Sequence, residues 1–366
     1  MAKFRYYDVR HLLSEYPEAK YYVVIGERSN GKTYSALDYA LQRATKGEQF
    51  AYLRRYGEDI RPKNLSDLFN AHLDNGRIAE LFPGYNAIEY KTGHFTIYKK
   101  DENGKKDDLV EPKEIGRAFD LNGMEHYKSI AFPRITTIIF DEFLSRTGYI
   151  PNEWQLFQNT LSTIIRTRNN VRVFMLGNTV NKYCPYFDEM GLKHVKDMEQ
   201  GTIDVYRYGD SGLELVVEYC ESSAKRGGKS SDVYFAFDNP QLKMITEGSW
   251  EIAVYPHLPC EYKPKDVVCQ FFIDFAHEIL HGRIISLENQ APFVFLHRKT
   301  TEIQSQQDIV YCTVPDSNPY HRYGLYEQQD KVSRFIKECI RKGRIFYSTN
   351  DVGETFRNFL MWNREI

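Results

Sequence analysis

YYVVIGERSNGKTYSALDYA, residues 21–40, changes character at Gly26. The apolar run Tyr21 to Ile25 enters a loop containing Gly26 and Gly31, then Lys32, Thr33 and a helix-like stretch. Gly26 to Thr33 reads GxxxxGKT, a phosphate-binding loop. Its backbone N–H groups wrap phosphate oxygens, and the following helix points its positive end at them. In that role Lys32 neutralises charge on the β- and γ-phosphates, and the Thr33 hydroxyl is a ligand for Mg²⁺. Asn30 and Tyr34 join Gly26, Gly31, Lys32 and Thr33 as candidate contacts to ATP. The eight-letter pattern alone also occurs by chance. Here it has the required setting, a buried strand before it and a helix after it.

A second part of an NTPase site should follow, and TIIFDE (137–142) supplies it. Asp141 ends an apolar strand, where it can hold Mg²⁺. Glu142 comes next and can polarise the attacking water. This pairing suggests the branch of P-loop ATPases whose base is a strand-end glutamate. Asn178 ends the next strand, VRVFMLGN (171–178), and either senses the γ-phosphate or only favours a turn. Phosphoryl transfer also needs a cation on the γ-phosphate, and an arginine from a neighbouring subunit is worth about 10³–10⁵ in rate. Arg166, and after it Arg168, in IIRTRNNVR are the arginine candidates; Arg54, Arg55 and Lys128 are secondary ones.

The strand readings 20–25, 48–56, 135–143 and 171–178 alternate with helical spacing in 32–45 and 153–168. That order predicts an α/β domain with a mostly parallel sheet. HFTIYKKDENGKKDDLV (94–110) reads as a hairpin turning at Asn103-Gly104. Lys99, Lys100, Lys105 and Lys106 flank that turn among four acids, so a solvated hairpin is expected rather than a DNA-touching loop.

With 366 residues, two domains are expected: an ATPase domain over 1–220, a linker or lid over 221–248, and a smaller α+β domain over 249–366. Apolar residues make up 42% and charged residues 27%, the composition of a soluble globular chain. Apolar runs are only strand-length and the N-terminus lacks a signal-peptide core, so a cytoplasmic protein is expected. The six cysteines form no CxxC pair, which points to reduced thiols. A formal net charge of -2 excludes a polycation, so nucleic-acid contact must come from local patches.

GEQFAYLRRY (47–56), TTIIFDEF (136–143), YIPNE (149–153) and the pattern in GNTVNKYCPYF (177–187) together resemble the DNA-encapsidation ATPases of small podophages. The resemblance covers roughly 20–190 and thins beyond 220. It implies a homomeric ring, a pentamer as in that family, mounted on the portal of a prohead and pumping double-stranded DNA. It also implies a packaging RNA as partner, and an RNase H-like second domain that has lost its nuclease site. Carried over residue by residue, Lys32 and Thr33 fall on the phosphate loop, Asp141 and Glu142 on the Mg²⁺ and catalytic acids, and Arg166 on the trans-acting arginine. Arg28 matches a basic residue of the loop. The stretch 94–127 is longer than the family pattern. A helicase or conjugation pump on the same core is the alternative motor.

HEILH (277–281) raises a competing signal. On a helix, His277 and His281 could bind zinc with Glu278 as base, giving a peptidase. The strand-like FFIDFA before it and Gly282 after it argue against a helix, and His297 and Glu302 lie at no family spacing. Asp274, Glu278, Glu302 and Asp308 are the acids available for a two-metal nuclease, and no nuclease activity is expected. Lys337, Arg341, Lys342 and Arg344 near the C-terminus are candidates for packaging-RNA contact or simply a solvated face.

Overall fold

The computed structural model describes residues 6–127, 129–146, 148–222, 250, 253–303 and 305–362. In it the run before the phosphate loop is strand β1 (Tyr21–Gly26), buried from its second residue onward. The other strands of the same sheet are β2 (Gln49–Arg54), β3 (Ala87–Lys91), β4 (His94–Tyr98), β5 (Lys113–Asp120), β6 (Ile135–Asp141), β7 (Arg172–Asn178), β8 (Thr202–Tyr208) and β9 (Leu213–Tyr219). Their order across this nine-stranded sheet is β3-β4-β5-β2-β6-β7-β1-β9-β8. From β5 through β9 every neighbouring pair is parallel. Antiparallel strands close both edges, β4 and β3 on one side and β8 on the other.

The central strands are apolar runs because a parallel sheet is covered on both faces. All seven residues of β6 are buried. Burying each large apolar side chain, such as Ile138, Ile139 or Phe140, stabilises by about 1.5–3 kcal/mol. That packing anchors Asp141 at the strand's end. Helix Lys32–Ala44 lays Ala36, Leu37, Ala40, Leu41 and Ala44 on the sheet. Helix Glu153–Ile165 buries Phe157, Leu161 and Ile164.

The hairpin read over 94–110 has different arms. β4 pairs with β5, and 99–112 is an excursion between them pinned by one bridge, Lys100 to Lys106. The Asp101 carboxylate accepts from the backbone N–H of Asn103 (2.9 Å) and Lys105 (2.8 Å), and Gly104 sits at φ 76°. These bonds close a wider turn than the two-residue one that Asn-Gly suggests.

The chain divides into two compact units, one of residues 1–146 and 152–251, the other of 147–151 and 252–366. The expected linker over 221–248 lies almost wholly outside the described residues, as does Lys128. The second unit carries a six-stranded sheet of β10 (Val267–Phe275), β11 (Glu278–Ile285), β12 (Phe293–Lys299), β13 (Val310–Cys312), β14 (His321–Tyr323) and β15 (Ile345–Tyr347). β10, β11 and β12 form an antiparallel meander. β13 runs parallel beside β10, β14 parallel beside β13, and β15 parallel beside β12. Helices Lys331–Arg341 and Asn350–Trp362 complete this unit.

HEILH spans the β10–β11 turn and the first residues of β11. Ala276 and His277 make the turn at positive φ. Successive strand residues rise about 3.4 Å each, so His277 and His281 are far apart rather than stacked on one helix face. Glu278 instead meets Arg298 and Thr355 Oγ1, each at 3.1 Å. The peptidase alternative thus lacks its helix, as the reading of FFIDFA and Gly282 expected: the motif runs into a strand because β-branched and apolar residues follow it. His281 packs flat on Phe272 and lies beside His297, with ring centroids at 4.7 and 4.8 Å. Its Nε2 is buried without a partner. Burial, His297, Arg283 and Lys299 together pull its pKa down to about 4.

A consequence can be measured. His281 is neutral in the folded chain and titrates near 6.5 when unfolded. The unfolded state thus binds more protons between those values, and stability falls as pH drops from about 6.5 toward 4. Thermal melts of the full chain should show that loss, and His281→Gln should make the slope shallower. Equal slopes for the two proteins would refute it.

Candidate nucleotide site

Two glycines set the shape of the phosphate loop. Gly31 caps helix Lys32–Ala44 at φ 100°, a region costly to any residue with a Cβ. A Cβ there would also meet Tyr6 Cβ at 3.2 Å, and one on Gly26 would meet Cys220 Cβ at 2.9 Å. The Lys32 ammonium is buried and folded over its own loop. It donates to the carbonyls of Glu27 (2.6 Å) and Gly26 (3.2 Å) and to Oδ1 of Asn30 (3.2 Å) and Asn178 (3.3 Å). Asn178 reaches it because Gly26 and Asn178 are register partners at the ends of β1 and β7.

β7 lies between β1 and β6, so Asp141 at the end of β6 and Glu142 just after it lie one strand away from the loop. The Thr33 hydroxyl donates to Asp141 at 3.1 Å. Behind them Tyr52, fully buried on β2, donates its hydroxyl to Asp141 Oδ2 at 2.8 Å. Burial first, and then the Asp141 charge, hold the Tyr52 phenol well above its ordinary pKa, so it remains a donor. Glu142 leaves the strand at φ 58°, a strained turn for a non-glycine residue of the kind that clusters at functional sites. Its carboxylate is exposed and paired with Arg54 Nη2 at 2.5 Å.

Arg55, adjacent to Arg54, has a structural job. It donates to buried Glu153 (2.7 Å) and to the carbonyls of Phe143 (2.7 Å) and Glu142 (3.2 Å). Tyr186 donates to the other Glu153 oxygen at 2.7 Å. This brace sets the loop that carries Glu142; Glu153 and Tyr186 fall within the YIPNE and PYF blocks quoted from the sequence, whose letters carried the resemblance without assigning either residue a role. Tyr34 borders the cavity with its ring stacked on His72, centroids 3.9 Å apart.

Together Arg28, Asn30, Lys32, Thr33, Asp141 and Asn178 border a cavity of about 460 Å³. The donor set fits a nucleoside triphosphate with Mg²⁺. Lys32 and the loop meet anionic oxygen, and Thr33 with Asp141 offers two hard oxygens 3.1 Å apart for the cation. Asn30 Nδ2, buried without a partner, is a further donor at the loop.

The sequence-predicted arginines separate. Arg54 reaches Glu142 of its own chain. Arg166 and Arg168 follow helix Glu153–Ile165, at the end of the sheet where β6 starts. Arg168 donates to the carbonyl of Ile135, the first residue of β6, whereas the loop faces Asp141, the last. Six residues of strand put about 20 Å between those ends, so neither arginine serves its own loop. Arg168 is committed to the carbonyls of Ile164 (2.6 Å), Ile135 (2.6 Å), Pro133 (3.0 Å) and Ile165 (3.3 Å). Arg166 is exposed, at φ 55°, and donates to the Ile130 carbonyl at 3.0 Å.

Removing the Tyr52 hydroxyl should loosen Asp141 without touching nucleotide. Tyr52→Phe is expected to weaken Mg²⁺ activation of ATP turnover by about tenfold, the usual effect of losing a partner behind a metal ligand. A Mg²⁺ titration at saturating ATP reads it, and an unchanged half-saturation point would show that Tyr52 only packs.

A GxxxxGKT loop leaving a mostly parallel α/β sheet, with β7 between the loop strand β1 and the acid-bearing β6, defines a protein of the P-loop α/β class. The profile of the family "Podovirus DNA encapsidation protein (Gp16)" matches residues 1–210, and the chain belongs to that family. It is 37% identical over 173 residues to the DNA packaging protein of Bacillus phage B103, covering 46% of this chain and 47% of that one. To the DNA packaging protein of Bacillus phage phi29 it is 34% identical over 168 residues, 45% of this chain and 44% of the relative. The matched chain therefore spans about half the length of these relatives. The fold resembles a chain of the bacteriophage Phi-29 viral genome packaging motor assembly at a TM-score of 0.56 and 23% identity, over 98% of this chain and 99% of that one.

Proposed function

We propose that this chain is the ATP-hydrolysing subunit of a viral genome-packaging motor that drives double-stranded DNA into a prohead. The observation that carries it is the meeting of Thr33, Asp141 and Glu142 at the phosphate loop, within a chain of the encapsidation family. Lys32 would turn from its loop carbonyls to the β- and γ-phosphates. Mg²⁺ held by Thr33 and Asp141 would neutralise charge on those oxygens. Glu142, once released by Arg54, orients the attacking water and takes its proton. Asn178, touching Lys32, reports whether the γ-phosphate is present. Arg166 enters the next subunit's site, which makes a homomeric ring part of the chemistry; a pentamer is the expected size.

The second unit supports a vestigial RNase H-like reading by its strand order. Asp274 on β10 is paired in register with Cys312 on β13, so the adjacent strand offers a thiol in place of a second carboxylate. The motor would work in the cytoplasm of the infected host, with the prohead portal and a packaging RNA as partners. Among the described residues no helix is long and apolar enough to cross a membrane.

The test is ATP-dependent displacement of a triplex-forming strand from duplex DNA, with duplex strand separation measured in parallel. Displacement without separation, weakening steeply with salt as phosphate contacts do, is the expected result. Strand separation would favour the helicase reading instead.

A further inference from the structure

A second cavity, of about 240 Å³, opens beside the nucleotide cavity. Arg28, Glu142 and Asn178 border both. The shared residues come from the phosphate loop and the ends of β6 and β7, so the two spaces join where a γ-phosphate would lie. Arg54, Arg55 and Arg146 also line the second cavity, and Asp59 and Glu142 are the acids in the same lining.

These cations are not equivalent. Arg55 is fully engaged by Glu153 and two carbonyls. Arg54 is balanced by Glu142 at 2.5 Å and Asp59 at 3.6 Å. Arg28 and Arg146 are exposed at the rim. Whenever Glu142 turns to the attacking water, Arg54 loses its nearest anion and the cavity gains positive charge. The volume admits one phosphate with some water, each water taking roughly 30 Å³.

Resting on the ATPase reading, we infer that this annex is the holding site for inorganic phosphate after hydrolysis, with Arg146 and Arg54 as its principal ligands. Hydrolysis turns ATP and water into ADP, hydrogen phosphate and a proton. The new P–O bond is to the water oxygen, and the broken one is to the β–γ bridging oxygen. The hydrogen phosphate moves sideways past Asn178 into the annex while ADP stays in the loop. There it occupies Arg54 and so keeps Glu142 free. When it leaves, Arg54 recaptures Glu142 and the base is withdrawn. Product departure thus resets the site, a task no residue of the phosphate loop performs.

The experiment titrates inorganic phosphate into the ADP- and Mg²⁺-loaded full chain by calorimetry, for wild type, Arg146→Ala and Ser145→Asp. Ser145 borders the same annex, so the second variant adds a negative charge without removing a long side chain. Both should weaken phosphate binding about tenfold, the loss of one charge-assisted bond. If a melt shows Arg146→Ala unfolded, Ser145→Asp decides. Phosphate binding that survives both substitutions places the anion in the loop and overturns the annex, as does no binding to wild type. Wild type that binds phosphate in this way but never turns over ATP would instead overturn the ATPase reading.

Discussion

Glu142→Gln should cut ATP turnover by about 10²–10⁴ while ATP binding persists, because glutamine can orient water but cannot take its proton. The substitution also breaks the ion pair with Arg54. That pair is half in solvent, with side-chain exposures of 56% for Glu142 and 18% for Arg54. Such pairs contribute about 0–1 kcal/mol, so folding should barely change. The measurement is steady-state hydrolysis beside equilibrium binding of a fluorescent ATP analogue. Normal turnover in Glu142→Gln would remove the catalytic assignment, and the motor mechanism with it.

Arg166 and Arg168 should part company when each is replaced. Arg166→Ala is expected to lose about 10³–10⁵ in turnover, the worth of an arginine finger, with a small effect on stability. In mixtures with wild type, its subunits should depress activity beyond their share, since each spoils a neighbour's site. Arg168→Ala should do the reverse. Its guanidinium satisfies four carbonyls around the start of β6 and the end of helix Glu153–Ile165. Losing bonds from a charged donor costs about 1.5–3 kcal/mol, visible as a lowered melting point. If mixed Arg166→Ala subunits reduce activity only in proportion, the arginine does not act across a subunit boundary.

The order of the main elements was legible because burial writes itself into composition. Buried parallel strands must be apolar along their length, and β1, β2, β6 and β7 fall within a few residues of the sequence reading. The loop and the two acids were legible for a different reason: phosphate and Mg²⁺ chemistry demands glycine, lysine, threonine and carboxylate at fixed places. The edge strands β3 and β8 went unread, as did β5, β9, β14 and β15. β3 and β8 are half exposed and mixed in composition, and β14 and β15 are three residues long, too short to show a period. HEILH is the opposite case: its letters match a zinc motif, but the strand-like run before it and Gly282 after it argued against the helix that motif needs, and its backbone is extended.

By itself the sequence determined the class of sheet and the family, and it singled out the candidate phosphate loop and acid pair, all of which depend on neighbours along the chain. Only the tertiary structure decided which groups stand behind them. Tyr52 lies 89 residues from Asp141 and Arg54 lies 88 from Glu142, yet β2 and β6 are adjacent strands. Arg166 and Arg168, two positions apart, look interchangeable as letters. Their difference is which carbonyls each can reach, and the packing of helix Glu153–Ile165 against the start of β6 sets that.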